Sequence, residues 1–108
     1  MKKHTENYLR NEARDKECQV RIPGVCNKDK STTVLAHPNN KSVFSVGVGQ
    51  KPDDMFGARC CSACHDVIDG RVPTGWPDLQ VLVWFYEGCF RTQNILLQEG
   101  KICTTYRT

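Results

Sequence analysis

The chain has 108 residues, of which 39% are hydrophobic and 25% are charged, and its formal net charge is +3. This length fits one domain with a small core, and the composition excludes a wholly disordered chain. The longest apolar run, residues 81–86, is far shorter than the ~20 residues that a membrane span requires. The N-terminal residues lack the apolar stretch of an export signal, so we expect a cytoplasmic protein with no membrane partner.

The positive charge is unevenly placed along the chain. Residues 1–30 carry eight Lys and Arg against five acids, whereas the remainder carries seven of each. This excess indicates either an ordinary solvated surface or a patch that faces phosphate groups.

The first half of the chain predicts short elements. We expect residues 1–7 to be flexible and residues 8–13 to form a short helix. A tight hairpin or knuckle follows, because a Pro-Gly turn separates Cys18 from Cys26. Residues 32–37 are rich in β-branched and apolar side chains and predict a strand, whereas residues 43–48 fit a second strand or a glycine-rich loop.

The second half predicts two helices. Residues 61–68 fit a helix that ends at Gly70, and the longest helix spans residues 79–98 and ends at Gly100. A final short strand is expected over residues 102–106. The long helix has one apolar stripe of Leu79, Leu82, Val83, Tyr86, Phe90 and Leu97, widened by Val81, Trp84 and Phe85. So broad an apolar surface predicts a helix that is deeply buried, or that is shared with a second copy in a homodimer.

Cysteines supply the strongest chemical pattern. Seven cysteines, an odd number in a chain without an export signal, argue against a disulfide framework. Cys61 and Cys64 form a Cys-x-x-Cys pair, and the turn between Cys18 and Cys26 can bring those two residues together. The four thiolates predict a structural Zn²⁺ site, which would add folding energy to a small core. The alternatives are four inert buried thiols, or redox use of the Cys-x-x-Cys pair.

Two histidines and a nearby carboxylate form a second candidate site. His37 closes the predicted strand, His65 follows Cys64, and Asp53 and Asp54 lie between them. One imidazole could remove a proton from water, while the other imidazole and a carboxylate hold a divalent ion at a scissile phosphate. The alternative is two structural histidines and an aspartate pair that caps a helix.

Five stretches of the sequence resemble a family of small phage- and prophage-encoded proteins assigned as nucleases. They are ECQVRIPGVCN at 17–27, VLAH at 34–37, KPDD at 51–54, CSACHDVID at 61–69 and EGCFRTQ at 87–93. The resemblance covers residues 9–102 and extends to the HNH-like, or ββα-metal, endonuclease group. It implies an α+β fold in which a zinc-bound ββα unit is packed against a long C-terminal helix.

The resemblance also implies site roles. Cys18, Cys26, Cys61 and Cys64 would hold the structural zinc. His37 takes the position of the general base, His65 that of a ligand to a catalytic Mg²⁺ or similar ion, and Asp54 that of the middle asparagine. The chain departs from the HNH pattern at Ala36, where a metal-binding acid or histidine usually precedes the base. Asp53, Asp66 or water would then complete the site.

We therefore expect one domain over 1–108, with a ββα-metal unit at 13–70 and a flanking helix at 77–99. The expected function is metal-dependent hydrolysis of phosphodiester bonds, most directly of DNA, in phage or prophage metabolism inside a bacterial host cell. Four basic residues are candidates to position the nucleic-acid backbone: Arg14, Arg21, Lys51 and Arg59. The alternative is a non-catalytic zinc module that binds DNA or a protein.

Overall fold

The structure, a computed structural model, describes residues 8–44 and 51–103. It is a small α+β fold in which a two-stranded sheet packs against a long C-terminal helix. The helices are α1 (Tyr8–Glu12), α2 (Ser62–Ile68) and α3 (Asp78–Gln98), and the strands are β1 (Val34–Ala36) and β2 (Ala58–Cys60). Single 3₁₀ turns at Lys30–Thr32 and Asp54–Phe56 precede the two strands.

The sheet is antiparallel, and its register brings distant parts of the chain together. Val34 pairs with Cys60 at one end, and Ala36 pairs with Ala58 at the other. Strand β1 lies within the predicted strand at 32–37. Of the two options for residues 43–48, a second strand or a glycine-rich loop, the strand is wrong at residues 43 and 44, and the other residues, 45–48, lie outside the described chain. Because the two strands are antiparallel, the segment that joins them starts and ends at the same end of the sheet, beside the Ala36–Ala58 pair.

The knuckle between Cys18 and Cys26 contains no paired strands. It is a series of turns, in which the backbone N–H groups of Val25 and Cys26 both donate to the Ile22 carbonyl. Val20 and Ile22 are 1% and 0% exposed, so the turns anchor the knuckle in the core. The hairpin option of the sequence prediction is therefore wrong, and the knuckle option is confirmed.

Both predicted helices are present, and each is followed by the predicted glycine. Cys61 caps α2, since its Sγ accepts a hydrogen bond from the Cys64 N–H at 3.4 Å. Gly70 follows α2 with φ +78°, and Gly100 follows α3 with φ +73°, the left-handed conformation that glycine adopts without strain. The predicted final strand is wrong at residues 102 and 103, which are irregular, and residues 104–106 lie outside the described chain.

Helix α3 buries a different face from the one that its large apolar residues predict. Leu79 and Phe90 of the predicted stripe are 72% and 69% exposed. The buried face consists of Val81, Phe85, Gly88, Cys89, Thr92 and Leu96. Small residues face the interior because α3 packs very close to the rest of the core: a Cβ atom on Gly88 would lie 2.7 Å from Val20 Cγ2. No helix in the described part of the chain is long and apolar enough to cross a membrane.

Candidate functional site

Four cysteine sulfurs converge where the knuckle meets the first turn of α2. The sulfur atoms of Cys18, Cys26, Cys61 and Cys64 all lie within 4.8 Å of one another. The knuckle supplies the first two, and the capped start of α2 supplies the others. The sequence predicted this set from its spacing, and the fold brings together two pairs that are far apart along the chain.

The cluster has the dimensions of a tetrahedral thiolate site. Zn–S bonds of ~2.3 Å place the sulfurs of such a site ~3.8 Å apart. The Sγ atoms of Cys26 and Cys61 are 3.9 Å apart, and Cys18, Cys61 and Cys64 are buried. The four cysteines could therefore hold a metal ion.

Two residues with left-handed backbone conformations donate backbone hydrogen bonds to these sulfurs. Arg21 and Lys28 have φ values of 58° and 57°, which side-chain-bearing residues rarely adopt. The backbone N–H of Arg21 hydrogen-bonds to the Cys18 sulfur, and that of Lys28 to the Cys26 sulfur. Each left-handed residue thus follows a cysteine of the cluster by two or three positions and donates its N–H to that sulfur.

A fifth thiol, Cys60, lies beside the cluster. Hydrogen bonds from the thiols of Cys60 and Cys64 lower the pKa of Cys18, which makes Cys18 the favoured thiolate. The same contact with Cys18 raises the pKa of Cys60, whose side chain is fully buried in β2. Cys60 thus lies outside the set of four, and its thiol also donates to the Cys61 carbonyl at 3.5 Å.

The second candidate site lies at the opposite end of the sheet. His37 follows β1, and Asp54 begins the 3₁₀ turn before β2, so antiparallel pairing brings them together. The His37 Nε2 atom is 2.6 Å from Asp54 Oδ1, and the two side chains are 7% and 14% exposed. Arg10 Nε also contacts Asp54 Oδ1, at 3.2 Å. Asp53, in contrast, caps the turn by accepting a hydrogen bond from the Met55 N–H.

This contact suits the tautomer of His37 in which Nε2 carries the ring proton and donates it to Asp54 Oδ1, since a carboxylate accepts hydrogen bonds. Nδ1 then carries the lone pair that can take a proton from water, while the carboxylate orients the ring. Arg10 holds the same carboxylate oxygen from α1, a contact across 44 positions that no sequence pattern indicated.

The structure gives His65 a different partner. Its Nε2 lies 3.1 Å from Asp69 Oδ2, which also accepts from Arg71 Nη1 at 2.8 Å. Within residues 8–44 and 51–103, the four cysteines are the only group of three or more His, Cys, Asp or Glu side chains that converges. The structure therefore does not bring His65 and Asp54 into one ligand set, and their shared metal site stays a prediction.

The four basic residues proposed to position nucleic acid differ in accessibility. Arg59 is 3% exposed, and its guanidinium lies 3.6 Å from Glu99, so it cannot contact a phosphate backbone and this prediction is wrong. The central position of β2 and the adjoining α3 bury it. Arg14, Arg21 and Lys51 are exposed.

Comparisons with known proteins give one consistent result. Residues 7–101 match the family model described as "Putative nuclease YbcO". Proteins named "Putative nuclease YbcO" from Escherichia coli K12 and "Putative nuclease ybcO" from Enterobacteria phage 82 are each 48% identical over 97 residues, covering 87% of this chain and 95% of theirs.

A solved structure from Escherichia coli K-12, described as that of "a putative bacteriophage protein", is 43% identical. It superposes with a TM-score of 0.71, and the match covers 86% of this chain and all of the other. Because the family model and the relatives both match most of the chain, the chain belongs to the YbcO family.

Proposed function

We propose that this protein is a nuclease of the HNH-like type, which hydrolyses phosphodiester bonds of phage or prophage DNA and is stabilised by a structural zinc. The observation that carries the proposal is the 2.6 Å contact between His37 and Asp54. The names of its relatives, which belong to phage and bacterial proteins assigned as nucleases, support it.

His37 is the general base of the proposed reaction. Its Nδ1 takes a proton from a water molecule as the water oxygen bonds to phosphorus, and the phosphorus–oxygen bond to the leaving group breaks. The leaving oxygen takes up a proton from solvent water, and His37 later returns its proton to solvent, so the base is restored. Asp54 holds the imidazole ring and stabilises its cationic form, while Arg10 keeps the carboxylate in place.

The zinc has a structural role in this proposal. All four of its ligands would be cysteine thiolates, which leaves no open position for substrate or water. Its proposed task is to join the knuckle to the start of α2, so that β2 and the turn carrying Asp54 have a fixed position.

A second, catalytic ion such as Mg²⁺ belongs to the same hypothesis. It would be held by His65 with Asp54 or Asp66, and it would neutralise charge on the phosphate. In the structure His65 pairs with Asp69, and Asp66 pairs with Arg71. This donor set does not fit an ion as it stands, so the reaction described above includes no step at that ion.

One observation favours a second candidate function. The His37 side chain is only 7% exposed, which restricts the access of water and phosphate to its ring. A zinc-stabilised module that binds DNA or a protein without cleaving would need no such access. In that case His37 and Asp54 would serve the structure alone.

Cleavage of plasmid and single-stranded DNA by the purified protein, with Mg²⁺ or Mn²⁺, separates the two functions. We expect His37→Ala to lower the cleavage rate by a factor of about 10²–10⁴. Asp54→Asn should also lower it, whereas Asp78→Asn, a matched change at an exposed position in the first turn of α3, should not. Zinc content and circular dichroism of each variant report on folding.

Equal cleavage by the wild type and His37→Ala would overturn the assignment of the base. A wild type that binds DNA without cleaving it under these conditions would support the binding module instead.

A further inference from the structure

An open cleft of about 710 Å³ lies on the outer side of the knuckle, at the end of the sheet away from His37. We call it the knuckle cleft. It is lined by the residues Glu17, Cys18, Arg21, Ile22, Pro23, Gly24, Cys26, Lys28 and Lys30. The proposed reaction uses none of these residues at the scissile bond, although Arg21 is one of the residues that the sequence predicted to position the nucleic-acid backbone.

The charge of the knuckle cleft is positive along its rim. Arg21, Lys28 and Lys30 are all exposed, and Glu17 is the only acidic residue in the lining. Three cations around one concave surface offer the charge and the donors that phosphate oxygens accept. The N-terminal charge excess in the sequence is thus concentrated, in part, at one place in the fold.

Hydrogen bonds hold the walls of the knuckle cleft in position. Arg21 donates from Nε to the Cys18 carbonyl at 3.3 Å and from Nη2 to Gln19 Oε1 at 3.0 Å. Trp76, which is outside the lining, donates from Nε1 to the Pro23 carbonyl at 2.9 Å. A cleft with fixed walls binds a ligand at a smaller cost in conformational entropy than a mobile surface does.

The thiolates under the cleft limit how far this positive charge acts. Four thiolates around Zn²⁺ carry a formal charge of −2, which offsets the net charge of the lining at a distance. Recognition would therefore depend on direct contacts between the lysine ammonium groups and phosphates, and less on long-range attraction.

We propose that the knuckle cleft binds the sugar-phosphate backbone of a nucleic-acid strand, with Lys28 and Lys30 as the principal phosphate contacts. This inference rests on the proposed function and deepens it. It assigns the surface that binds the part of the substrate distant from the scissile bond. The cleft and the His37–Asp54 pair lie at opposite ends of a sheet only three residue pairs long. Their separation along the strands is therefore short compared with a strand of several nucleotides.

The test is binding of a fluorescein-labelled 12-nucleotide DNA to zinc-loaded protein without added Mg²⁺, followed by fluorescence anisotropy over a range of NaCl concentrations. We expect the double variant Lys28→Gln/Lys30→Gln to weaken binding at least tenfold at low salt. It should also make the slope of log K against log[NaCl] shallower by about 1.4, or ~0.7 for each lost contact with a single strand.

The matched control is Lys28→Arg/Lys30→Arg, which keeps both charges and should retain the affinity and the slope. Neither change removes the backbone N–H of residue 28 from Cys26, so zinc content should stay the same in both variants. An unchanged dissociation constant for the glutamine variant would overturn the proposal, as would equal losses in both double variants.

Failure of this inference can be told from failure of the proposed function. A wild type that binds through the lysines but does not cleave with Mg²⁺ or Mn²⁺ supports the cleft and contradicts the nuclease. A wild type that cleaves, with a glutamine variant that binds and cleaves equally well, contradicts the cleft and leaves the nuclease intact.

Discussion

Gly88 shows how one residue determines the position of α3. A Cβ atom there would lie 2.7 Å from Val20 Cγ2, 3.0 Å from Val20 Cα and 3.1 Å from the Gln19 carbonyl oxygen. Two of these three neighbours are backbone atoms, which cannot move aside by rotating a side chain. We expect Gly88→Ala to lower the free energy of unfolding by about 1–2 kcal/mol, because overpacking exceeds the gain in helix propensity.

Urea denaturation measures this effect, and Gly75→Ala is the matched control because nothing lies within 4 Å of its Cβ position. A Gly88→Ala protein as stable as the wild type would mean that α3 can move outward without loss of packing.

Sequence patterns identified the site residues to different degrees. The spacing of Cys61 and Cys64, and the turn between Cys18 and Cys26, predicted a cluster that the structure contains. The contact of His37 with Asp54 was not derivable in this way, because it depends on which strand pairs with β1. The contact of Arg10 with Asp54 carried no sequence signal at all.

At the scale of elements, β2 and α3 are joined by one buried hydroxyl. Thr92 Oγ1 accepts a hydrogen bond from the Arg59 N–H at 3.0 Å and donates to the Gly88 carbonyl at 2.8 Å. We expect Thr92→Val to destabilise the protein by about 1–3 kcal/mol, because the Arg59 N–H would stay buried without an acceptor. Hydrogen exchange of the Arg59 amide should become faster in Thr92→Val and stay slow in Thr92→Ser.

Exchange of the Arg59 amide that stays slow in Thr92→Val would show that another group accepts this hydrogen bond.

The elements that sequence reasoning missed share a physical cause. Strand β2 has only three residues, too few to show a period, and its central Arg59 has the composition of an exposed position although it is 3% exposed. The buried face of α3 was misplaced because close packing favours glycine and threonine at 88 and 92, whereas a hydrophobic stripe favours leucine and phenylalanine. Long periodic helices and glycine ends were predictable because they depend on local energies.

For the whole molecule, a zinc ion held as proposed by the cysteine cluster would be the largest single source of stability. Structural zinc sites of small proteins bind with ~10 kcal/mol or more, and this energy is available only to the folded chain. We expect removal of the ion by a chelator to lower the melting temperature by more than about 10 °C. Melting curves followed by circular dichroism, with metal analysis of the same samples, measure this loss.

Cys26→Ser should reproduce the effect of the chelator, and Cys103→Ser, at an exposed cysteine outside the cluster, should leave the melting temperature unchanged. Metal-free protein that melts at the same temperature as the metal-loaded form would show that the four thiols are ordinary core residues.

The positions of the four cysteines also define a ring in the chain. An ion bound to Cys26 and Cys61 would join residues 35 positions apart, and His37 and Asp54 both belong to the segment between them. By the chain-entropy rule for cross-links, a closure of this length restricts the unfolded chain by ~4 kcal/mol. Because the cost of closure grows only with the logarithm of length, doubling the segment would change it by about 0.6 kcal/mol. Relatives with the same four cysteines can therefore differ in the length of the segment between the histidine and the aspartate with little change in stability, provided that an ion links both ends of the ring.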